Sequence, residues 1–118
     1  MERAGVPEDD AGAGGAFAAR LRALDQAAWA ELYDRHHAQL WRYAYVRTGS
    51  RDAADDLAAQ VFAEALSSIG RYRYKGRPIL AWLYAIARNL TSKHLRRMQR
   101  DAPGEYVEPS GGSLEDRL

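Results

Sequence analysis

In residues 71–77, RYRYKGR, the cations Arg71, Arg73, Lys75 and Arg77 alternate with Tyr72 and Tyr74. Further along come Trp82, then Arg88, Asn89, Ser92, Lys93, Arg96 and Arg97. Cations interleaved with rings suit one chemistry above others: guanidinium and ammonium groups hold phosphates while ring faces stack on unpaired bases. Asn89 adds an amide whose paired donor and acceptor match a base edge. Residues 70–97 hold eight basic side chains, four aromatics and no acid. Bland readings stand beside this one. A run of like charge is often only a solvated face. Tyr72 and Tyr74 either fold back onto the body or stand out as stacking platforms. Trp82 lies beside an apolar stripe and reads first as packing, and Asn89 is either a solvated polar residue or a base reader.

Other chemistries find little support. Asp52, Asp55 and Asp56 place carboxylates close together, but in the first turns of a helix, where its positive end stabilises them without any catalytic role. His36 and His37 are adjacent, so on a helix they point about 100° apart and cannot grip one metal ion. His94 lies in the basic segment. With no cysteine and no His-x-x-x-His pair, neither a metal site nor a cofactor is expected. Gly12–Gly15, GAGG, follows no strand and has no Lys-Ser/Thr after it, so it is no phosphate loop. The reading is of a protein that is not an enzyme.

Whole-chain charge conceals the basic segment, because 17 Lys and Arg stand against 16 Asp and Glu for a net +1. By segment, residues 1–30 hold three basic and five acidic side chains, 31–70 four and six, and 101–118 one and five, whereas 71–100 hold nine basic and none acidic. A length of 118 residues with 47% apolar composition fits one domain with a modest core. The longest apolar run, Ile79–Ala87, is nine residues, against the roughly 20 needed to span a bilayer. The absence of cysteine gives no sign of an oxidising compartment, and a cytoplasmic location is expected.

The elements that must position these groups are helical. Val, Ile and Thr are scarce, Ala is abundant, and no segment alternates with period two, so an all-α fold is expected: three main helices plus a short N-terminal one. Residues 1–16 read as a disordered leader, 17–100 as the helical domain and 101–118 as a flexible linker. Phe17, Leu21 and Leu24 share one face of a first helix of about two turns. Asp25 caps a second, over 26–47, whose buried face carries Trp29, Leu32, Tyr33, His36, Leu40 and Tyr43 or Ala44, with Gly49 as its left-handed stop. Ser50 caps a third, with Ala54, Leu57, Ala58, Val61, Phe62, Ala65 and Ile69 as its stripe and Gly70 closing it. After a loop, Pro78 opens a fourth. There Ile79, Leu83, Ile86 and Leu90 stack on one face, while Arg88, Ser92 and Arg96 line the other. Beyond Leu90, Lys93 and Arg97 fall on the apolar line, so the helix must leave the body.

This order of elements, with LYDRHHAQLWRYAYVRTGSRDAADDLAAQVFAEAL and ILAWLYAIARNLTSKHLRR, resembles region 2 of an extracytoplasmic-function sigma factor, the group-four branch of the sigma-70 family. The likeness covers about Trp29–Arg100, and AWLYAIARN after a glycine-containing loop is its most specific part. It implies a domain that binds core RNA polymerase and recognises and melts the promoter minus-ten element. By the same resemblance the third helix docks on the beta-prime clamp helices. Asp56, Leu57, Gln60, Val61 and Phe62 occupy the matching motif, with Asp55, Asp56, Gln60 and Glu64 as its polar contacts, since Leu57, Val61 and Phe62 must largely face the core. The loop Arg71–Arg77 would capture a flipped base, and Arg88, Asn89, Ser92, Lys93 and Arg96 would read and hold the nontemplate strand. An anti-sigma factor is an expected partner. The family's second domain, which reads the minus-thirty-five element, is absent, and Leu118 ends where the interdomain linker would run, so a truncated chain is expected. Two departures stand out: the usual DLVQEVF is DLAAQVF, and the usual WLYRIARN is WLYAIARN, with Ala85 for a basic residue. The rival reading is a helical protein-interaction module, an orphan regulator that touches nucleic acid only nonspecifically.

Overall fold

The computed structural model describes residues 12–101. Four helices follow one another: α1, Gly12–Arg22; α2, Gln26–Thr48; α3, Arg51–Ser68; and α4, Ile79–Arg100; a 3₁₀ turn, Ile69–Arg71, closes α3. No strand occurs among the described residues. The all-α architecture is the one the sequence periodicity predicts. α2, α3 and α4 pack pairwise on one another, and α1 lies against α2 and the 3₁₀ turn.

Local chemistry sets the boundaries. The Asp25 carboxylate accepts from the Ala27 N–H at 2.9 Å at the start of α2. Gly49, at φ 71°, ends that helix in the left-handed region, with its N–H donating to the Tyr45 carbonyl at 2.8 Å. Ser50 then caps α3 by accepting from the Ala53 N–H at 3.1 Å. These side chains satisfy orphan amides that a helix start otherwise leaves open.

Buried on the shared axis are Leu21, Leu32, Leu40, Val61 and Leu83, each stabilising the fold by about 1.5–3 kcal/mol relative to exposure. A second cluster, Ala44, Ala54 and Leu57 under Trp41 and Leu90, uses small side chains to bring α2 and α3 together. Thr91 is the last buried residue of α4, and Leu95–Arg100 are all exposed. The last turns therefore run clear of the body, where Lys93 and Arg97 break the apolar stripe.

Several sequence expectations need correction. α1 begins at Gly12 rather than Phe17, taking in residues 12–16 that were assigned to the leader; residues 1–11 and 102–118 lie outside the described residues. Leu24 is no part of the buried face. It sits beyond the helix at φ 61° and 58% exposed, as the left-handed residue of the stop, with Leu24 N–H donating to Leu21 and Asp25 N–H to Arg20. Tyr33 is exposed. Gly70 lies inside the 3₁₀ turn without a positive φ, so the chain leaves α3 by tightening its last turn instead of reversing hand. No helix among the described residues is long and apolar enough to cross a membrane.

Candidate nucleic-acid interface

The end of α3, the loop that follows, and one face of α4 enclose an open cavity of about 850 Å³. α4 supplies a floor of Ala81, Ala85 and Ile86, with Trp82, Arg88 and Asn89 beside it. Those positions recur every three or four residues and so share one helical face. The loop supplies Arg71, Tyr72, Arg73, Lys75 and Arg77, and α3 supplies Glu64 and Ser68. Sites of roughly 300–1,000 Å³ take a single small ligand, and this one has room for a splayed-out nucleotide. Ala85, the departure from the usual basic residue, lowers the floor.

Within the cavity the Tyr72 and Trp82 rings lie 4.5 Å apart at 33°. Trp82 is half-buried and packs against the core, so its packing and site readings hold together. The Tyr72 carbonyl accepts from Arg22 Nη1 at 3.3 Å and from Arg73 Nη1 at 2.8 Å. Arg73 also donates to the Gly70 carbonyl at 2.8 Å. Its guanidinium is therefore engaged in closing its own loop. By contrast Arg71, Lys75, Arg77 and Arg88 make no ion pair among the described residues. Four unneutralised cations surround an aromatic pair.

Other predicted residues fall elsewhere. Tyr74 turns away from Tyr72: its ring lies over the backbone of α1 at Gly14. The two tyrosines that the sequence treats alike are thus divided, one beside the cavity and one folded back on the body. Ser92 is half-buried, and Lys93, Arg96 and Arg97 are exposed past the cavity. Arg88 and Arg96 are spaced about 12 Å apart along the axis, which extends a positive edge from the cavity toward the free end of α4.

The residues assigned to the polymerase divide around α3. Leu57 and Val61 are 2% exposed and belong to the core, as their spacing predicts. Asp55 accepts from Trp41 Nε1 at 2.7 Å, and that indole stacks on Tyr45. Phe62 is half-buried and meets Tyr33 at 5.0 Å and His37 at 6.4 Å between ring centroids. Asp55 and Phe62 therefore lie on the flank toward α2. Asp56 and Gln60 stay exposed on the outer ridge. Each step of four residues advances about 40°, so Glu64 lies about 80° round from Asp56. That turn carries it onto the cavity wall.

Sequence reasoning missed three of these placements. Ser68 and Glu64 belong to the cavity, and the signal was available: they continue the Asp56, Gln60 row past the point where the helix rotates toward α4. Tyr33 and His37, spaced four apart, carry a 4.5 Å ring contact of their own and form an aromatic ledge with Phe62. Arg22 carried no signal, because its partner is a backbone oxygen 50 residues away.

An all-α bundle with a basic, ring-lined cavity and a positive helix running from it has the make-up of a nucleic-acid-binding module. Comparison with known proteins is more specific. The model of sigma-70 region 2 matches residues 32–101. The chain is 40% identical over 77 residues to the ECF RNA polymerase sigma factor BldN of Streptomyces coelicolor, covering 65% of this chain and 29% of that protein. It is 38% identical over 79 residues to the ECF sigma factor SigL of Mycobacterium tuberculosis, covering 67% and 40%. To SigW of Bacillus subtilis it is 31% identical over 77 residues, covering 65% and 41%. Among solved structures, the RsbN–BldN complex aligns with a TM-score of 0.61 at 36% identity, over 71% of this chain and 61% of that one. The chain belongs to the sigma-70 region 2 family, in its extracytoplasmic-function branch. Such proteins serve transcription without catalysing a reaction of their own. The chain spans well under half the length of these three relatives.

Proposed function

We propose that this domain joins core RNA polymerase through the outer ridge of α3 and recognises and melts the promoter minus-ten element, holding an unpaired nontemplate base in the cavity between α3 and α4. The observation that carries the reading is the Tyr72–Trp82 ring pair set among four cations without acidic partners. Such a site gains stacking energy only from a base that has left the duplex. Binding the open strand better than the paired one is then what drives melting, since a ligand shifts an equilibrium only by its differential affinity. Arg88 and Arg96 neutralise phosphate, Asn89 reads a base edge, and Asp56 with Gln60 presents the polar contacts to the beta-prime clamp helices. Glu64 is the one acid on the cavity wall. It repels phosphate and accepts from an exocyclic amine, which disfavours thymine, the one base without such an amine. An anti-sigma partner is proposed on the ground that BldN, the solved relative, is seen in complex with RsbN.

The test is fluorescence anisotropy of this chain against single-stranded and duplex forms of candidate minus-ten sequences across a salt series. Tighter binding to one single strand than to its scrambled version or its duplex is the expected result. Steep salt dependence without sequence or strand preference would leave a nonspecific helical module instead.

A further inference from the structure

α1 lies outside the stretch that matches the family model, yet it touches the cavity loop at two points. At its C-terminal end Arg22 Nη1 donates to the Tyr72 carbonyl at 3.3 Å. At its N-terminal end the Tyr74 ring occupies the space over Gly14. A Cβ built on Gly14 would stand 2.6 Å from Tyr74 Cζ, 2.7 Å from Cε1 and 2.9 Å from the hydroxyl oxygen. Real side chains do not approach so closely, so only glycine admits the ring. Glycine within a helix is costly relative to alanine, and the seat for Tyr74 supplies a reason for it here.

The loop needs such support. Between Tyr72, whose N–H donates to the Ile69 carbonyl, and the Ala81 N–H bonded to Pro78, residues 73–77 contribute no backbone–backbone hydrogen bond among the described residues. Gly76 adds a left-handed turn at φ 88°. The shape of the loop therefore rests on side chains: Arg73 on the Gly70 and Tyr72 carbonyls, Arg22 on the Tyr72 carbonyl, and Tyr74 on Gly14. α1 is itself fixed to α2, because Trp29 Nε1 donates to the Leu21 carbonyl at 3.1 Å and the Arg35 guanidinium lies 5.3 Å over the Phe17 ring.

We infer that α1 is a splint for the base-capturing loop and that Gly14 is its positioning residue. Pinning Tyr74 on one side of the loop keeps Tyr72 on Trp82 on the other. The ordering entropy is then spent in folding instead of at each binding event. The inference rests on the proposed strand-capturing role of the cavity, but its structural half can be read without any ligand.

The test compares Gly14→Ala, Tyr74→Ala and the double variant in the whole chain. The obstacle to a Cβ is the far end of a side chain, so Gly14→Ala displaces the ring and leaves the helix standing. Thermal unfolding should stay near the wild type or rise, because alanine favours the helix. Initial trypsin cleavage at Arg71, Arg73 and Lys75 should quicken, and affinity for a minus-ten single strand should fall, each by about tenfold, the change that about 1.4 kcal/mol produces. In the Tyr74→Ala background, Gly14→Ala should change neither the cleavage rate nor the strand affinity further. Unchanged cleavage in Gly14→Ala, or losses that multiply in the double variant, would overturn the inference. If the wild type captures no single strand, the reading of the cavity fails, and the splint is decided by the cleavage rates alone. Quickened cleavage with unchanged strand affinity would remove the positioning role.

Discussion

The cavity beside α4 and the outer ridge of α3 are the two faces that the proposed function uses, and they are built in opposite ways. The cavity is concave, assembled from α3, the loop and α4, and surrounds two rings with cations. The ridge is convex, belongs to one helix, and presents Asp56 and Gln60. A concave aromatic site can bury and stack on one flat ligand, whereas a convex polar ridge can only add contacts to a partner that brings its own groove. α3 borders both because its exposed row rotates: Asp56 is exposed on the outer ridge and Glu64 lines the cavity. Residues on one helical row thus need not share the same surroundings.

The sharpest way to break this division is a charge reversal on the ridge. Asp56→Arg with Gln60→Arg should abolish saturable binding to core RNA polymerase in a titration, while single-strand binding stays at its wild-type level. A loss of both would show that the faces are not separate. Trp82→Ala is the converse. Removing the ring under Tyr72 should weaken single-strand binding by about 1–3 kcal/mol, the usual worth of base stacking, and leave polymerase binding intact. Thermal unfolding of the same variant separates this loss from any loss of packing.

Within the cavity, Asn89→Ala and Arg96→Ala should divide. The first should relax discrimination at one base, and the second should weaken every sequence alike and reduce the salt slope by about one. A smaller effect belongs to neither face. Leu24→Gly should stabilise the fold by about 1 kcal/mol in denaturant unfolding, since Leu24 is exposed and left-handed, where glycine carries no Cβ penalty. The smallest concerns acid. The hydrogen bond from Arg20, with further ones from the Ala27 and Ala28 amides, holds the Asp25 carboxyl below its ordinary value of 3.8. Its contribution to stability is complete above that value and is lost as pH falls through the lower folded-state value. Asp25→Asn should flatten the unfolding midpoint against pH in that window and nowhere else.

The division also decides how much could be read beforehand. Helix identities and most ends were legible because they depend on near neighbours. Asp25, Gly49 and Ser50 cap by contacts within a few residues, and period 3.6 marks Leu32, Leu40, Val61 and Leu83 as core. Ala54, Leu57, Val61 and Ala65 alone imply that the opposite side of α3 is exposed, so the ridge followed from spacing as well. The ends that misled were those decided by tertiary contact. Gly12–Ala16 looks like leader because glycine and alanine have no apolar period, yet the segment is the first part of α1 and carries the seat of the Tyr74 ring.

From the sequence alone came the all-α class, the charge segregation and the basic, ring-bearing stretch, since composition and local periodicity set all three. Tertiary structure alone decided that Tyr72 faces Trp82 while Tyr74 lies on Gly14, that Asp55 is engaged by Trp41, and that Glu64 enters the cavity. The physical reason is range. A cap or an amphipathic stripe is a matter of a few residues along one helix, whereas a cavity wall depends on the rotation and crossing of helices. Those are fixed only when groups from distant positions meet in the packed fold, as the Arg22 guanidinium meets the Tyr72 carbonyl.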